Sequence, residues 1–114
     1  MKKINTKAAL VDFEGNVIPD LTGKPLSEGN YPDLVLGSVL SIVLGGTNNA
    51  QQRGCSFEPI KLYELASAFK NKEFVEMDSS DLQQLEALLK TENRYGSLIT
   101  GQVQKMLKDA EEVK

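Results

Sequence analysis

The chain of 114 residues contains no histidine, no tryptophan and a single cysteine. Without histidine, neither a Ser–His nor a Cys–His nucleophile pair can be assembled within one chain. One cysteine and no histidine also leave structural zinc without its usual ligands. A lone Cys55 forms no intramolecular disulfide, so the sequence suits a reducing compartment. With tryptophan missing, the most effective stacking platform for a sugar ring is missing too.

Arginine is scarce. Arg53 and Arg94 are the only arginines, and the formal net charge is −3. Nucleic-acid binding rests on clustered Lys/Arg that neutralise phosphates, and the best group here is the sparse set Lys2, Lys3 and Lys7. A nucleic-acid partner is therefore not expected, and the mild acidity argues equally against an anionic membrane surface. Long apolar runs are absent as well. Leu34 to Leu44 spans eleven residues, interrupted by Gly37, Ser38 and Ser41, whereas a membrane span needs about 20. Met1-Lys2-Lys3 is followed by polar Asn5, Thr6 and Lys7 rather than by the apolar stretch of a secretion signal.

What remains is the composition of a chain that folds. Hydrophobic residues make up 40% and charged residues 25%, enough to bury a core rather than stay disordered. The expectation is one domain, 1–114, with a hairpin and loop over 1–32 and a helical core over 33–114. Ala9, Val11 and Phe13 alternate along Lys7 to Ile18, and Glu14-Gly15-Asn16 offers a turn, which predicts a β-hairpin. Pro19, Gly23, Pro25, Gly29 and Pro32 mark residues 19–32 as loop. Gly23-Lys24 lacks the glycine and hydroxyl spacing of a phosphate-binding loop, so it reads as a turn.

A first helix is expected from near Asp33, which follows Pro32 and can cap it, to Leu44, with Gly45-Gly46 as its end. A second should begin around Phe57 to Pro59, with Ser56 as cap and Pro59 in the first turn. Phe74, Val75 and Met77 suit a short extended connector or a third strand. Asp78 or Ser79 caps a third helix lined by Leu82, Leu85 and Leu89. A fourth opens at Ser97, carries Val103, Met106 and Leu107, and leaves a polar tail from Lys108 to Lys114 that should fray. The fold class expected is mainly α (α+β), an N-terminal β-hairpin followed by about four packed helices. Their core would be Leu40, Val43, Leu62, Leu65, Phe69, Leu85, Leu89, Val103 and Leu107.

Candidate chemistry is thin. Glu73, Glu76, Asp78, Asp81 and Glu86 are the densest acids, but they lack EF-hand spacing, and acids in a helix's first turn suit its dipole. Cys55, behind Arg53 and Gly54, reads either as a reactive thiol or as a free cysteine of no consequence. No catalytic residue, metal site or cofactor is expected. The helix over 34–44 is apolar around most of its circumference. It is either ordinary core or a face shared with a second subunit, so Leu36, Gly37, Leu40, Ser41 and Leu44 are interface candidates. The polar loop 45–56 adds Asn48, Asn49, Gln51, Gln52 and Arg53, which either contact a partner or are plainly solvated.

Four stretches occur in a familiar order: Asp33-Leu34-Val35-Leu36-Gly37-Ser38-Val39-Leu40, Glu58-Pro59-Ile60-Lys61-Leu62-Tyr63-Glu64-Leu65-Ala66, Asp78-Ser79-Ser80-Asp81-Leu82 and Gly101-Gln102-Val103. Together they resemble small proteins encoded by tailed bacteriophages and prophages. The polar insertion between the first two helices departs from the shorter connection expected there. The resemblance implies a phage origin and a place in the host cytoplasm, and it brings no catalytic motif. The function expected is a protein-interaction module rather than an enzyme. Its partner would be a host or virion protein or a second copy in a homo-oligomer, and countering a host defence is one version. The alternatives are a weak nucleic-acid accessory factor using Lys2, Lys3, Lys7 and Arg53, and a small carboxylate-dependent hydrolase.

Overall fold

A computed structural model describes residues 1–21, 25–46, 55–92 and 94–112. In chain order these form β1 (Lys2–Asn5), α1 (Leu36–Gly45), α2 (Pro59–Asn71), β2 (Phe74–Met77), α3 (Ser79–Lys90), α4 (Ser97–Lys108) and β3 (Glu111–Glu112). The class is α+β: four helices and an antiparallel sheet in the order β2–β1–β3.

The sheet was not the one the apolar pattern suggested. Its central strand is the basic N-terminal segment, whose charges match its neighbours. Lys3 lies opposite Glu76 of β2 and Glu111 of β3, and Lys2 lies opposite Glu112. Opposite charges directly across strands contribute roughly 0.2–1 kcal/mol each. A slip of one residue would exchange the two faces, and Ile4, Val75 and Met77 are all buried on the inner one. The tail expected to fray is thus paired through Glu111 and Glu112. The Lys2 ammonium also donates to the Leu107 carbonyl at 3.3 Å and to that of Lys108, which satisfies the C-terminal end of α4.

The expected hairpin over 7–18 contracts to a turn. Asp12 N–H donates to the Asn16 carbonyl at 2.8 Å. The Asp12 carboxylate accepts from Glu14 and Asn16 N–H, and Gly15 takes the left-handed φ of 87° that this turn requires. A single bridge, Val11 to Val17, closes it. Beyond it the backbone makes a three-way ring: Leu10 N–H donates to Leu34 O, Leu34 N–H to Ile18 O, and Ile18 N–H to Leu10 O, at 2.7–2.9 Å. Three chain segments are tied at one point, and no long ladder forms.

That ring also moves the start of α1. Asp33 and Val35 form bridges to Pro19 and Ala9, so Asp33 does not cap the helix, which begins three residues later. Its leading N–H groups go instead to distant backbone, Leu36 to the Ala8 carbonyl and Gly37 to the Thr6 carbonyl, both at 2.8 Å. At the other end, the Arg94 guanidinium donates to the carbonyls of Ile42 and Gly46. Both ends of the helix are therefore satisfied by other parts of the chain.

The remaining helices begin by local rules. Pro59 occupies the first position of α2, and Glu58 rather than Ser56 precedes it without a side-chain cap. Ser56 N–H is taken by Gln84 at 2.6 Å. Asp78 caps α3, accepting from Asp81 N–H at 2.7 Å. All nine residues expected in the core are buried, and Ile4, Leu10, Leu36 and Met77 join them. Among the described residues no helix is long and apolar enough to cross a membrane.

Two substitutions separate close packing from helix propensity. A Cβ on Gly37 would lie 2.3 Å from the Phe69 carbonyl oxygen and 2.8 Å from Thr6 Cβ, whereas one on Gly101 meets nothing within 4 Å. Gly37→Ala should destabilise by about 2–3 kcal/mol through overpacking. Gly101→Ala should stabilise by about 0.5–1 kcal/mol as a helix-interior glycine. Urea midpoints of the two variants check both signs. The α3–α4 connection supplies a pH test. Burial, then Asp20 and Glu92, raise the Tyr95 phenol above its ordinary 10, with Arg94 opposing. A raised acid favours its neutral form in the fold, so this contribution is intact below pH 10 and is lost as pH climbs through the raised value. Stability should therefore fall above pH 10, and Tyr95→Phe should flatten that part of the profile.

Candidate functional site

The α1 residues proposed as an interface lie inside this chain. Leu36, Leu40 and Leu44 are 2%, 0% and 1% exposed, and Gly37 is buried. The glycines of α1 face α2: Gly37 approaches Phe69, and a Cβ on Gly45 would touch Ala66 at 3.5 Å. The helix is apolar nearly all round because its own domain covers most of it, so these four residues offer no face to a second subunit. Ser41 is half-buried, and its hydroxyl donates to the Ser38 carbonyl at 2.9 Å. Asn48, Asn49, Gln51, Gln52 and Arg53, like Gly23-Lys24, lie outside the described residues.

Several of the other candidates are occupied. Lys2 holds the end of α4, and Lys3 sits 4.3 Å above the Phe74 ring, flanked by glutamates. Asp78 caps α3, and Asp81 pairs with Lys61 at 3.3 Å. Cys55 is buried, and its sulfur accepts from Phe57 N–H, which removes the access a reactive thiol needs. Among the described residues no group of three or more His, Cys, Asp or Glu side chains could hold a metal ion.

Large apolar side chains are exposed elsewhere, Ile60 and Tyr63 on α2 and several more between residues 13 and 31. Phe13 is 89% exposed, Leu26 75% and Leu21 68%, with Val17 and Tyr31 also exposed. The described residues 13–21 and 25–31 are tied to the body of the fold at their base. Their stem is fixed by the Leu10–Ile18–Leu34 ring and by Asp20 N–H donating to the Pro32 carbonyl at 2.8 Å. Burying such side chains would be worth about 1.5–3 kcal/mol each, and here they meet solvent.

Beside Phe13 lies a depression of about 440 Å³ lined by Val11, Leu98, Gly101 and Gln102. Gln102 shapes it. Its Oε1 accepts from Val11 N–H at 3.0 Å, and its Nε2 donates to the carbonyls of Val11 and Leu98. One amide side chain thus pairs both backbone groups of Val11, as a neighbouring strand would, and holds the 11–17 turn against α4. Gly101 keeps the helix surface low beside it.

Sequence reasoning passed over this surface. A signal was present: residues 19–32 hold Leu21, Leu26 and Tyr31 between prolines and glycines, and a solvated connector has no need of large apolar residues. Comparison with family models, with curated proteins and with solved structures finds no match to this chain.

Gln102→Ala should release the 11–17 turn while leaving the core intact. The Val11 amide should lose hydrogen-exchange protection and Thr6 should keep its own. The cost in stability should be about 1 kcal/mol.

Proposed function

We propose that the chain is a protein-interaction module that contacts its partner through the exposed apolar residues of 13–31 and the depression beside Phe13. The observation that carries this reading is Phe13, Leu21 and Leu26 standing in solvent on a segment pinned at its base. Large apolar side chains left in solvent are a feature of interaction surfaces. The module acts by binding rather than catalysis, as the absence of histidine from the sequence also suggests. With the phage resemblance, its partner is a host or virion protein met in the host cytoplasm. Self-assembly through α1 loses its motivation, since that helix is consumed by α2 and the core.

The test uses Phe13→Asp with Leu26→Asp in one chain. Both side chains are largely exposed, so the melting temperature should stay within a few degrees of wild type. A partner captured by the wild type from phage-infected cells should be lost by the variant. Retention of that partner by the variant, or capture of none by either, would refute the reading. Light scattering across a concentration series separates a second copy from a different protein: a mass that rises for the wild type and not for the variant identifies the partner as self.

A further inference from the structure

A second cavity, of about 600 Å³, lies between β1, β2 and the C-terminal half of α4, a volume within the range of small-molecule sites. It shares Gln102 and Lys105 with the Phe13 depression but rests on different observations. Phe74, Met106 and Ala110 are among its apolar lining residues, and Asn5, Lys105 and Asp109 are among its polar ones.

The charges at this cavity fall into two sets. Lys3 sits 4.3 Å above the Phe74 ring, and Glu76 and Glu111 stand at the facing positions of the two neighbouring strands. Lys105 and Asp109 are both exposed, and neither makes an ion pair among the described residues. They stand one helical turn apart, about 5–6 Å between Cβ atoms.

The strand register adds a donor. In an antiparallel ladder the backbone groups of alternate residues turn to alternate neighbours. Thr6 N–H goes to Glu73 on the β2 side, so Lys3 and Asn5 turn theirs to the β3 side. There β3 offers Glu111 opposite Lys3, and its pairing ends before it reaches Asn5. The Asn5 N–H consequently faces past the end of β3 toward the cavity that Asn5 lines.

We propose that this cavity binds an apolar α-amino acid as its zwitterion. The carboxylate accepts from the Lys105 ammonium and the Asn5 N–H, the ammonium donates to the Asp109 carboxylate, and the side chain lies against Phe74, Met106 and Ala110. A zwitterion complements the Lys105 and Asp109 charges and the Asn5 N–H at once. A fatty acid would leave Asp109 facing a carboxylate, and an amine would leave Lys105 facing an ammonium.

The probe is L-phenylalanine, titrated into the intact protein and followed by amide chemical shifts, with phenylacetate and phenethylamine as analogues that each lack one charge. The expected result is a saturable shift centred on Asn5, Lys105 and Asp109, with both analogues at least about tenfold weaker. Lys105→Met, which keeps an apolar stem, and Asp109→Asn should each weaken L-phenylalanine by a similar factor. Both residues are exposed, so these variants should melt as wild type does, and the analogue series needs no variant at all. No saturable shift, equal binding by either analogue, or unchanged binding by Lys105→Met overturns the proposal.

Discussion

Thr6 is where β1, α1 and the α2–β2 connection meet. Its N–H donates to the Glu73 carbonyl at 2.9 Å, its carbonyl accepts from Gly37 N–H, and its hydroxyl donates to the carbonyls of Lys72 and Glu73. The residue is 1% exposed. A buried backbone group that loses its partner costs about 1–3 kcal/mol, so three elements are coupled through one side chain and one peptide unit. Gly37 is the counterpart of this arrangement. Only a residue without Cβ lets the start of α1 come close enough for Thr6 to reach it beneath Phe69.

The same economy recurs at the helix ends. Helices leave their first N–H and last C=O groups unpaired, and most proteins answer with a local cap. Here only α3 has a side-chain cap at its start. The start of α1 is served by Thr6 and Ala8, its end by Arg94, and the end of α4 by Lys2. Cations at helix C-termini also oppose the negative end of the dipole. The first eight residues and the α3–α4 connection are therefore structural parts of helices far from them in sequence, and a core of modest size gains cohesion from links that span the chain.

This explains which features could be read from the sequence. The leucine periodicity of α3, Pro59 at the start of α2, the Asp78 cap and the apolar segment 74–77 are local signals, and each leads to the right element. β1 carries no such signal. Lys-Lys-Ile-Asn shows almost no apolar alternation, and its partners lie about seventy residues away or more, so only the placement of Lys2 and Lys3 across from glutamates reveals it. Asp33 satisfied the local rule for a cap and was overridden by the Leu10–Ile18–Leu34 ring. An apolar helix surface looks the same in sequence whether α2 or another subunit covers it; the Gly37–Phe69 approach decides for α2. The candidate site failed for the converse reason, since exposed leucines such as Leu21 and Leu26 have the same letters as buried ones.

Magnitudes constrain what the exposed segment can do. Full burial of Phe13, Leu21 and Leu26 by a partner would contribute roughly 1.5–3 kcal/mol each. Association costs an estimated 4–15 kcal/mol or more in lost freedom, and a micromolar complex requires about 8 kcal/mol beyond that. Three anchors therefore do not sustain a stable complex on their own. A partner that binds tightly must also fill the depression beside Phe13, where Val11 and Leu98 are held in place by Gln102 and entry requires no rearrangement of the core. The rigidity of that floor matters as much as the apolar side chains above it, because a turn already fixed by Gln102 pays no ordering entropy when a partner arrives. The fold's long-range bonds fix Leu10, Ile18 and Leu34 at one point while Phe13, Leu21 and Leu26 stay outside the core.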